Sequence, residues 1–302
     1  MSGLVVLPSV PLEVHGDGFP VAPLASLDTL WFQVSGTICN LKCNHCFIAC
    51  SPKNHRHEML TYEVVVRYLE EAKALGVREY YFTGGEPFMN RDMLSILERT
   101  LQQGPASVLT NGLLIKDRTA ERLRKLSDGT PYSLDLRISL DGWDAETNDP
   151  IRGEGTFDRI LAGVAALARF GLSPVLTVTE ACAEAQTRHG RTRFLAFLRE
   201  IGLTRPRLKI LPLLRMGAEE GRERGYHPWE TLAGARLLPE ELEALQCTSC
   251  RMVTSRGVYV CPILIEREAA RMGQTLQESL RPFSLAHSAC YTCHTDGLRC
   301  AT

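Results

Sequence analysis

Residues 30–46 read LWFQVSGTICNLKCNHC. The apolar run Leu30–Ser35 predicts a strand, and a loop with three cysteines in CxxxCxxC spacing, at Cys39, Cys43 and Cys46, follows it. Three thiolates held this close in one loop can bind three irons of a cubane cluster and leave the fourth iron without a protein ligand. The alternative is zinc with His45 or Cys50 as fourth ligand, although this spacing is not the usual paired CxxC.

The cysteines outside this loop form a second group near the C-terminal end. The chain has 11 cysteines, of which four lie between residues 39 and 50 and six lie between residues 247 and 300. The first 41 residues contain no Lys or Arg, so the basic region of a secretory signal is missing from them. We therefore expect a cytoplasmic protein whose clustered thiols bind metal or iron–sulfur clusters rather than form disulfides.

Composition excludes several classes of protein. The 302 residues carry a net charge of -1, with 44% apolar and 23% charged residues. These values exclude a disordered chain, a collagen-like chain and a nucleic-acid-binding protein that depends on net positive charge. No apolar stretch approaches the ~18 residues of a membrane span. We expect neither a nucleic-acid nor a membrane partner.

Strand and helix patterns alternate between residues 30 and 214. The predicted strands are Leu30–Ser35, Arg78–Thr83, Ser107–Thr110, Leu134–Leu140, Pro174–Thr179 and Leu208–Leu214. The predicted helices between them are Tyr62–Leu75, Arg91–Gln103, Arg118–Leu126, Phe157–Phe170 and Arg191–Ile201. This alternation predicts an α/β fold with a parallel sheet, and six strands fit a partial (β/α)6 barrel whose chemistry lies at the carboxyl ends of the strands.

Four segments follow from this pattern. Residues 1–28 form an N-terminal arm, residues 29–216 form the partial barrel, and residues 217–246 form a linker with a short helix around Pro239–Leu245. Residues 247–302 form a small cysteine-rich C-terminal domain.

Two motifs together resemble those of the radical S-adenosylmethionine (radical SAM) enzymes. The first is the CxxxCxxC loop after the first strand, and the second is Gly84-Gly85-Glu86-Pro87 at the end of the second strand. The resemblance implies a catalytic four-iron–four-sulfur cluster with S-adenosylmethionine at its open iron. It also implies that residues 84–87 contact the amino group of that cofactor.

The resemblance also implies contacts for the rest of the cofactor. Ser139 and Arg152 would hold its carboxylate, since an arginine fork suits a carboxylate. Asp141 is either a ligand of the cofactor or a turn residue before Gly142. His45 would lie against the adenine ring.

The remaining candidates lie on or after the last strands. Thr177 and Thr179, on the fifth predicted strand, are candidates for contact with the ribose. Glu180 and Arg215 lie at strand ends, where either could bind a polar substrate or take up a proton. Cys182 is a buried apolar residue or a thiol that returns a hydrogen atom to a substrate radical.

The C-terminal cysteines resemble the auxiliary-cluster domain called SPASM, or its shorter form, twitch. The resemblance rests on a cysteine, a β-hairpin with Gly257 and Cys261-Pro262, a helix over Gly273–Leu280 and a CxxC pair. It implies one auxiliary four-iron cluster, and two clusters with incomplete ligation or a structural zinc are alternatives. We predict Cys250 with Cys261, Cys290 and Cys293 as ligands, with Cys247 as a replacement for Cys250. The full set of candidates is Cys247, Cys250, Cys261, Cys290, Cys293 and Cys300.

The resemblance implies an oxidoreductase. It would cleave S-adenosylmethionine reductively to a 5′-deoxyadenosyl radical and oxidise a small molecule or peptide with help from the auxiliary cluster. An electron donor such as flavodoxin or ferredoxin is implied. A redox-neutral peptide epimerase or maturase is one alternative, and a non-catalytic iron–sulfur carrier is another. Only about 30 residues precede the first strand, so we expect no N-terminal leader-binding domain.

Overall fold

The protein is described by a computed structural model that covers residues 18–298. Residues 1–17 of the expected N-terminal arm and the candidate ligand Cys300 lie outside the described residues. Within residues 18–298, no helix is both long enough and apolar enough to cross a membrane.

Nine strands form one sheet, and six of them are the parallel strands that the sequence predicts. The strands in chain order are β1 (Val21–Ala22), β2 (Thr29–Gln33), β3 (Glu79–Thr83), β4 (Ala106–Thr110), β5 (Leu134–Ser139), β6 (Val175–Thr179), β7 (Arg207–Leu211), β8 (Cys250–Thr254), β9 (Gly257–Tyr259), β10 (Arg271–Gly273) and β11 (Phe283–Ser284). The sheet order is β10-β9-β8-β2-β3-β4-β5-β6-β7, and all pairs from β2 to β7 are parallel. The prediction of a partial barrel with a parallel sheet is confirmed.

Helices connect these strands. They are α1 (Tyr62–Ala74), α2 (Met93–Thr100), α3 (Asp117–Asp128), α4 (Ala145–Arg152), α5 (Thr156–Arg169), α6 (Arg188–Glu200), α7 (Ala218–Arg222), α8 (Pro239–Glu243) and α9 (Ser288–Thr295). The apolar period of α5 buries Ile160, Val164 and Leu167. At the start of α1, the Thr61 side chain accepts a hydrogen bond from the Val64 amide, which satisfies a donor that the helix itself cannot use.

The cysteine-rich segment extends the sheet of the barrel. Strand β8 pairs with β2 in parallel register, with Thr29 opposite Cys250 and Leu30 opposite Arg251. Strands β8 and β9 form the expected antiparallel hairpin before Cys261. The boundary at residues 217–246 therefore separates two segments that share one sheet.

Four helices differ from the expectation, and one of them is α7, an unpredicted helix in the expected linker. No helix covers residues 273–280, because Gly273 ends β10 and turns follow it. Helix α4 was not predicted, since Pro150 lies inside it. Helix α9 carries the CxxC pair, and its eight residues lack a clear apolar period.

Candidate cluster and cofactor sites

A cavity of about 210 Å³ lies at the carboxyl ends of the parallel strands. The structure brings together at this cavity ten of the residues that the sequence singled out for the catalytic cluster and the cofactor. They are Cys39, Cys43, His45, Cys46, Gly84, Gly85, Ser139, Arg152, Thr177 and Thr179. These residues come from five separate segments and are up to 140 positions apart in the chain, yet they line one cavity.

The two glycines after β3 hold the cysteine loop against the strand end. The Gly85 amide donates to the Gly36 carbonyl over 2.9 Å, and the Glu86 amide donates to the Ile38 carbonyl over 3.1 Å. A Cβ atom on Gly85 would lie 2.0 Å from the Ile38 oxygen. Gly84 has a φ of 150°, which favours glycine. Glycine is therefore needed at these two positions first of all because the strand end packs closely against the cysteine loop.

Glu86 and Pro87 do not line the cavity. The Glu86 carboxylate is buried and accepts hydrogen bonds from Thr110 Oγ1 over 2.6 Å and from the Asn111 amide over 2.8 Å. Burial raises its pKa, and these hydrogen bonds oppose the rise. Glu86 thus joins the end of β3 to the end of β4, and the expected charged contact with a cofactor does not follow from its position.

Asp141 lies at the centre of a buried polar network. Arg152 Nη2 lies 2.8 Å from Asp141 Oδ2, and His45 Nε2 lies 3.2 Å from the same oxygen. The amide and hydroxyl of Thr179 donate to Oδ1 over 2.7 Å and 2.8 Å. Asp141 is therefore neither a simple turn residue nor a free ligand, and it pairs with one nitrogen, Nη2, of the arginine that was expected to hold a cofactor's carboxylate.

The charges in this network determine its protonation. Burial would raise the pKa of Asp141, but Arg152 and His45 outweigh it and the net direction is down. Burial lowers the pKa of His45 to about 4, although the Asp141 carboxylate opposes this. At neutral pH we therefore assign a carboxylate to Asp141, a guanidinium to Arg152 and a neutral imidazole to His45.

Hydrogen bonds connect the end of α4 to the cysteine loop. The Asn44 amide donates to the Ile151 carbonyl over 3.0 Å, and its side chain donates to the Pro150 carbonyl over 2.6 Å. Arg152 Nη1 lies 4.0 Å from Cys43 Sγ. Burial raises the pKa of the Cys43 thiol, and Arg152 opposes that rise. Sequence reasoning missed α4 and Asn44, because the contacts join residues more than 100 positions apart.

A second cavity contains the C-terminal thiols. Cys247, Cys261, Cys290 and Cys293 line it, together with apolar side chains such as Leu245, Val260, Ile263 and Phe283. Burial raises the pKa of Cys247 to about 11 and the pKa of Cys290 as well. Cys250 lies outside this lining, in strand β8, and its thiol points to the Val260 carbonyl at 3.9 Å.

The family model for the Radical SAM superfamily matches residues 34–182. This part of the chain is a radical SAM domain. The matched segment begins in the turn after β2 and ends at Cys182, so it includes the cysteine loop, the glycine pair and the Asp141 network.

Curated relatives match over part of their length. The chain is 27% identical over 205 residues to the GTP 3′,8-cyclase of Tolumonas auensis, covering 67% of this chain and 58% of that protein. It is 34% identical over 128 residues to the Fe-coproporphyrin III synthase of Methanosarcina barkeri, covering 42% of this chain and 30% of that protein. The chain thus spans about half, or less, of the length of these relatives.

Solved structures share the fold at low sequence identity. Streptococcus suis SuiB aligns with a TM-score of 0.61 at 19% identity, covering 93% of this chain and 67% of that one. Native anSMEcpe with bound AdoMet aligns with a TM-score of 0.60 at 18% identity, covering 83% and 79%. The cofactors of a radical SAM domain are a four-iron–four-sulfur cluster and S-adenosylmethionine.

The cavity of the radical SAM domain fits these groups. Three thiols from one loop face the same space, which is the donor set that a cubane with one open iron requires. Thr177 Oγ1 is buried at the cavity and, among the described residues, has no hydrogen-bond partner. A buried hydroxyl without a partner costs free energy, and a polar group bound beside it would remove that cost.

Asn111 lines the cavity of the radical SAM domain and was missed as a site residue, whereas Cys50, which also lines it, was considered only as a fourth zinc ligand. Asn111 donates to Asn40 Oδ1 over 2.7 Å, and its side-chain nitrogen lies 3.8 Å from Cys39 Sγ. The Cys50 amide donates to Cys46 Sγ over 3.4 Å, and the Cys50 thiol donates to the Gly84 carbonyl over 3.9 Å. The only available signal for either residue was its position, since Asn111 directly follows strand β4 and Cys50 follows the cysteine triplet.

None of the three substrate-facing candidates lines the cavity of the radical SAM domain. Cys182 is buried in a separate apolar cluster, and its Sγ lies 3.3 Å from Glu184 Oε2. The Glu180 amide bonds to the Leu211 carbonyl, and its side chain is not among the lining residues. Arg215 pairs with Glu223 at 3.3 Å and lines another cavity, of about 280 Å³. Glu180 and Cys182 lie in the turn after β6, and Arg215 lies in the irregular segment after β7, so these side chains are outside the cavity lining.

Proposed function

We propose that the chain is a radical SAM enzyme that carries out an oxidative modification of a small molecule or peptide with help from an auxiliary cluster. The observation that carries this proposal is the convergence of Cys39, Cys43 and Cys46 with Gly84 and Gly85 on one cavity at the strand ends. When bound there, the cluster and S-adenosylmethionine supply a 5′-deoxyadenosyl radical that abstracts hydrogen from the substrate.

The protein's own residues bind, orient and exclude water. The three thiolates hold the cluster, and the glycine pair presents backbone groups to the cofactor. Ser139, Arg152 and Thr177 orient the rest of the cofactor. Apolar lining residues keep water from a reactive radical; they are Leu41, Phe47, Leu109, Leu213, Leu214 and Leu298.

The auxiliary cluster is assigned to Cys247, Cys261, Cys290 and Cys293. Two observations support this set over one with Cys250. These four thiols line one cavity. Cys250 lies in strand β8, and its thiol points to the Val260 carbonyl instead. Residues 29–216 and 247–302 are thus proposed as two functional units, a SPASM or twitch type of auxiliary unit following the radical SAM unit.

The substrate is proposed only by class. One structural neighbour is anSMEcpe with bound AdoMet and Cp18Cys peptide, and curated relatives act in GTP cyclisation and porphyrin or heme synthesis by their names. Both peptides and small molecules are therefore substrates to test, with flavodoxin or ferredoxin as the electron donor. A redox-neutral peptide epimerase is the second candidate, but Cys182, the thiol it would need, does not line the cavity.

The decisive experiment is anaerobic reconstitution followed by incubation with dithionite and S-adenosylmethionine. We expect about eight irons per chain and formation of 5′-deoxyadenosine. Replacing Cys39, Cys43 and Cys46 with Ala should remove about half the iron and all 5′-deoxyadenosine, whereas the control Cys182→Ala should change neither. Continued cleavage by the triple variant would refute the assignment of the catalytic cluster. Absence of cleavage by the wild type would favour an iron–sulfur carrier.

A further inference from the structure

Arg251 is a buried arginine in the middle of the C-terminal cysteine set. It lies on β8 next to Cys250, opposite Leu30 of β2, and its exposed fraction is 1%. Its guanidinium donates four hydrogen bonds, all to backbone carbonyls. The acceptors are Ser279 O at 2.9 Å from Nε, Cys247 O and Cys250 O at 2.8 and 2.7 Å from Nη1, and Arg281 O at 2.8 Å from Nη2.

The charge of Arg251 has no acidic partner among the described residues, since no carboxylate forms an ion pair with it. The contrast is Arg152, which is also buried but pairs with Asp141 at 2.8 Å. Burying an unpaired charge costs much more free energy than burying a paired one. The carbonyl dipoles satisfy the N–H groups of Arg251 but leave its net charge in place.

The cation lies beside the C-terminal cysteines. Arg251 follows Cys250 directly in β8, and its Nη1 donates to the carbonyls of both Cys247 and Cys250. Cys247 lines the second cavity together with Cys261, Cys290 and Cys293. A cluster bound by these thiolates would bring the negative charge that balances the buried guanidinium.

We propose that Arg251 is the internal counter-cation of the auxiliary iron–sulfur cluster. This inference rests on the proposed function, because it requires a cluster on Cys247, Cys261, Cys290 and Cys293. A four-iron cluster bound by four thiolates is negatively charged, because the thiolates outweigh the charge of its core. The buried guanidinium stabilises that charge in a region of low dielectric constant.

Two consequences follow for the cluster. Reduction adds one more negative charge, so a fixed cation nearby stabilises the reduced form and raises the reduction potential. Arg251 is therefore a positioning and tuning residue that favours electron transfer from the substrate radical to this cluster. Its hydrogen bonds also connect residues 247–250 with residues 279–281, which orients Cys247 toward the cavity.

The test isolates the auxiliary cluster in the full-length chain. Cys39, Cys43 and Cys46 are replaced with Ala, so that reconstitution loads only the C-terminal site. In this background, Arg251→Gln removes the charge and keeps a side chain that can donate hydrogen bonds. Arg251→Lys keeps the charge with fewer donors. Arg281→Gln is the matched control, because Arg281 is an exposed cation in the same region whose charge water screens.

We expect Arg251→Gln to shift the potential, measured by dithionite titration with electron paramagnetic resonance, to more negative values. The shift corresponds to a tenfold or greater change in the reduction equilibrium, about 59 mV for one electron. Arg251→Lys should keep the wild-type potential, and so should Arg281→Gln. Iron bound at the C-terminal site should fall in the Gln variant and recover in the Lys variant.

An unchanged potential in Arg251→Gln would overturn the proposal and leave Arg251 with a structural role. If Arg251→Gln does not fold, the Lys variant decides. If Arg251→Lys keeps the wild-type potential although it donates fewer hydrogen bonds, the charge has the proposed role. If the potential falls in Arg251→Lys, the proposal is contradicted. Failure of the proposed function has a different signature, since the background chain would then bind no iron–sulfur cluster at all.

Discussion

Asp141 shows how one carboxylate can organise a cofactor site from within. It pairs with Arg152 and His45 and accepts two hydrogen bonds from Thr179, so it connects the cysteine loop, α4 and β6. Arg152 also lies beside Cys43. The arginine therefore has a structural role that precedes any contact with S-adenosylmethionine.

Replacing Arg152 should affect both stability and cofactor binding. Arg152→Ala leaves a buried carboxylate unpaired, which should lower the free energy of unfolding by about 3–5 kcal/mol. Arg152→Lys should lower it less. Where the Ala variant remains folded, loss of a charge-assisted hydrogen bond, ~1.5–3 kcal/mol, should weaken S-adenosylmethionine binding by roughly 10- to 150-fold. Denaturant unfolding and equilibrium binding measure the two effects.

The control for Arg152 is Arg122→Ala, which removes an exposed cation from α3. We expect that variant to change the free energy of unfolding by less than about 0.5 kcal/mol. Equal stability of the two Ala variants would contradict a buried network around Asp141.

His57 lies outside the cavity lining, and its buried imidazole should make the free energy of unfolding depend on pH. Burial lowers its pKa to about 4, and the cations Arg256 and Arg56 lower it further. The unfolded chain therefore binds more protons at this site between about pH 6.5 and pH 4, so stability is lost as the pH falls through that range. The loss from this residue is at most roughly 3 kcal/mol. His57→Gln should flatten the dependence of unfolding free energy on pH, and an unchanged slope would contradict it.

At the scale of elements, one close backbone contact and one left-handed residue determine the shape of the cysteine loop. Gly85 lies so close to Ile38 that a side chain cannot fit between them. Ala49, the residue before Cys50, has a φ of 55°, a left-handed conformation that L-residues adopt rarely. The loop is therefore held in a shape that its own local preferences do not favour.

Gly85→Ala tests this packing. The added methyl group would lie 2.0 Å from the Ile38 oxygen, so the strand end and the loop must separate. We expect a loss of stability of about 1–3 kcal/mol and a fall in the iron bound at the first site. Gly221→Ala is the control, because nothing lies within 4 Å of the added atom and Gly221 is in helix α7. Normal iron content in Gly85→Ala would show that the contact is dispensable.

At the scale of the whole molecule, the C-terminal segment serves both cavities. Strand β8 covers the edge of β2, and Leu298 lines the cavity of the radical SAM domain. The four C-terminal thiols, however, contribute nothing to the first cavity. Point substitutions and truncation should therefore have different effects.

Cys290→Ala with Cys293→Ala should spare the cleavage of S-adenosylmethionine without substrate and abolish product formation. Truncation after residue 246 should abolish both, because it exposes the β2 edge and opens the cavity. Cluster ligation can contribute folding energy, so circular dichroism and the remaining iron content are measured first. Normal turnover of the true substrate by the folded double variant would make the cluster structural, and the reaction would then be redox-neutral.

The sequence by itself determined what is local in this protein. The CxxxCxxC loop, the glycine pair and the alternation of strands and helices are patterns of near neighbours, and they predicted the partial barrel and the cysteines and glycines of its cavity. Tertiary structure alone decided the partners of Asp141 and Arg152, the pairing of β8 with β2, and the presence of Cys247 rather than Cys250 in the second cavity. These contacts join residues distant in sequence, and in a strand the pleat determines which face each side chain takes, so composition and spacing do not contain them.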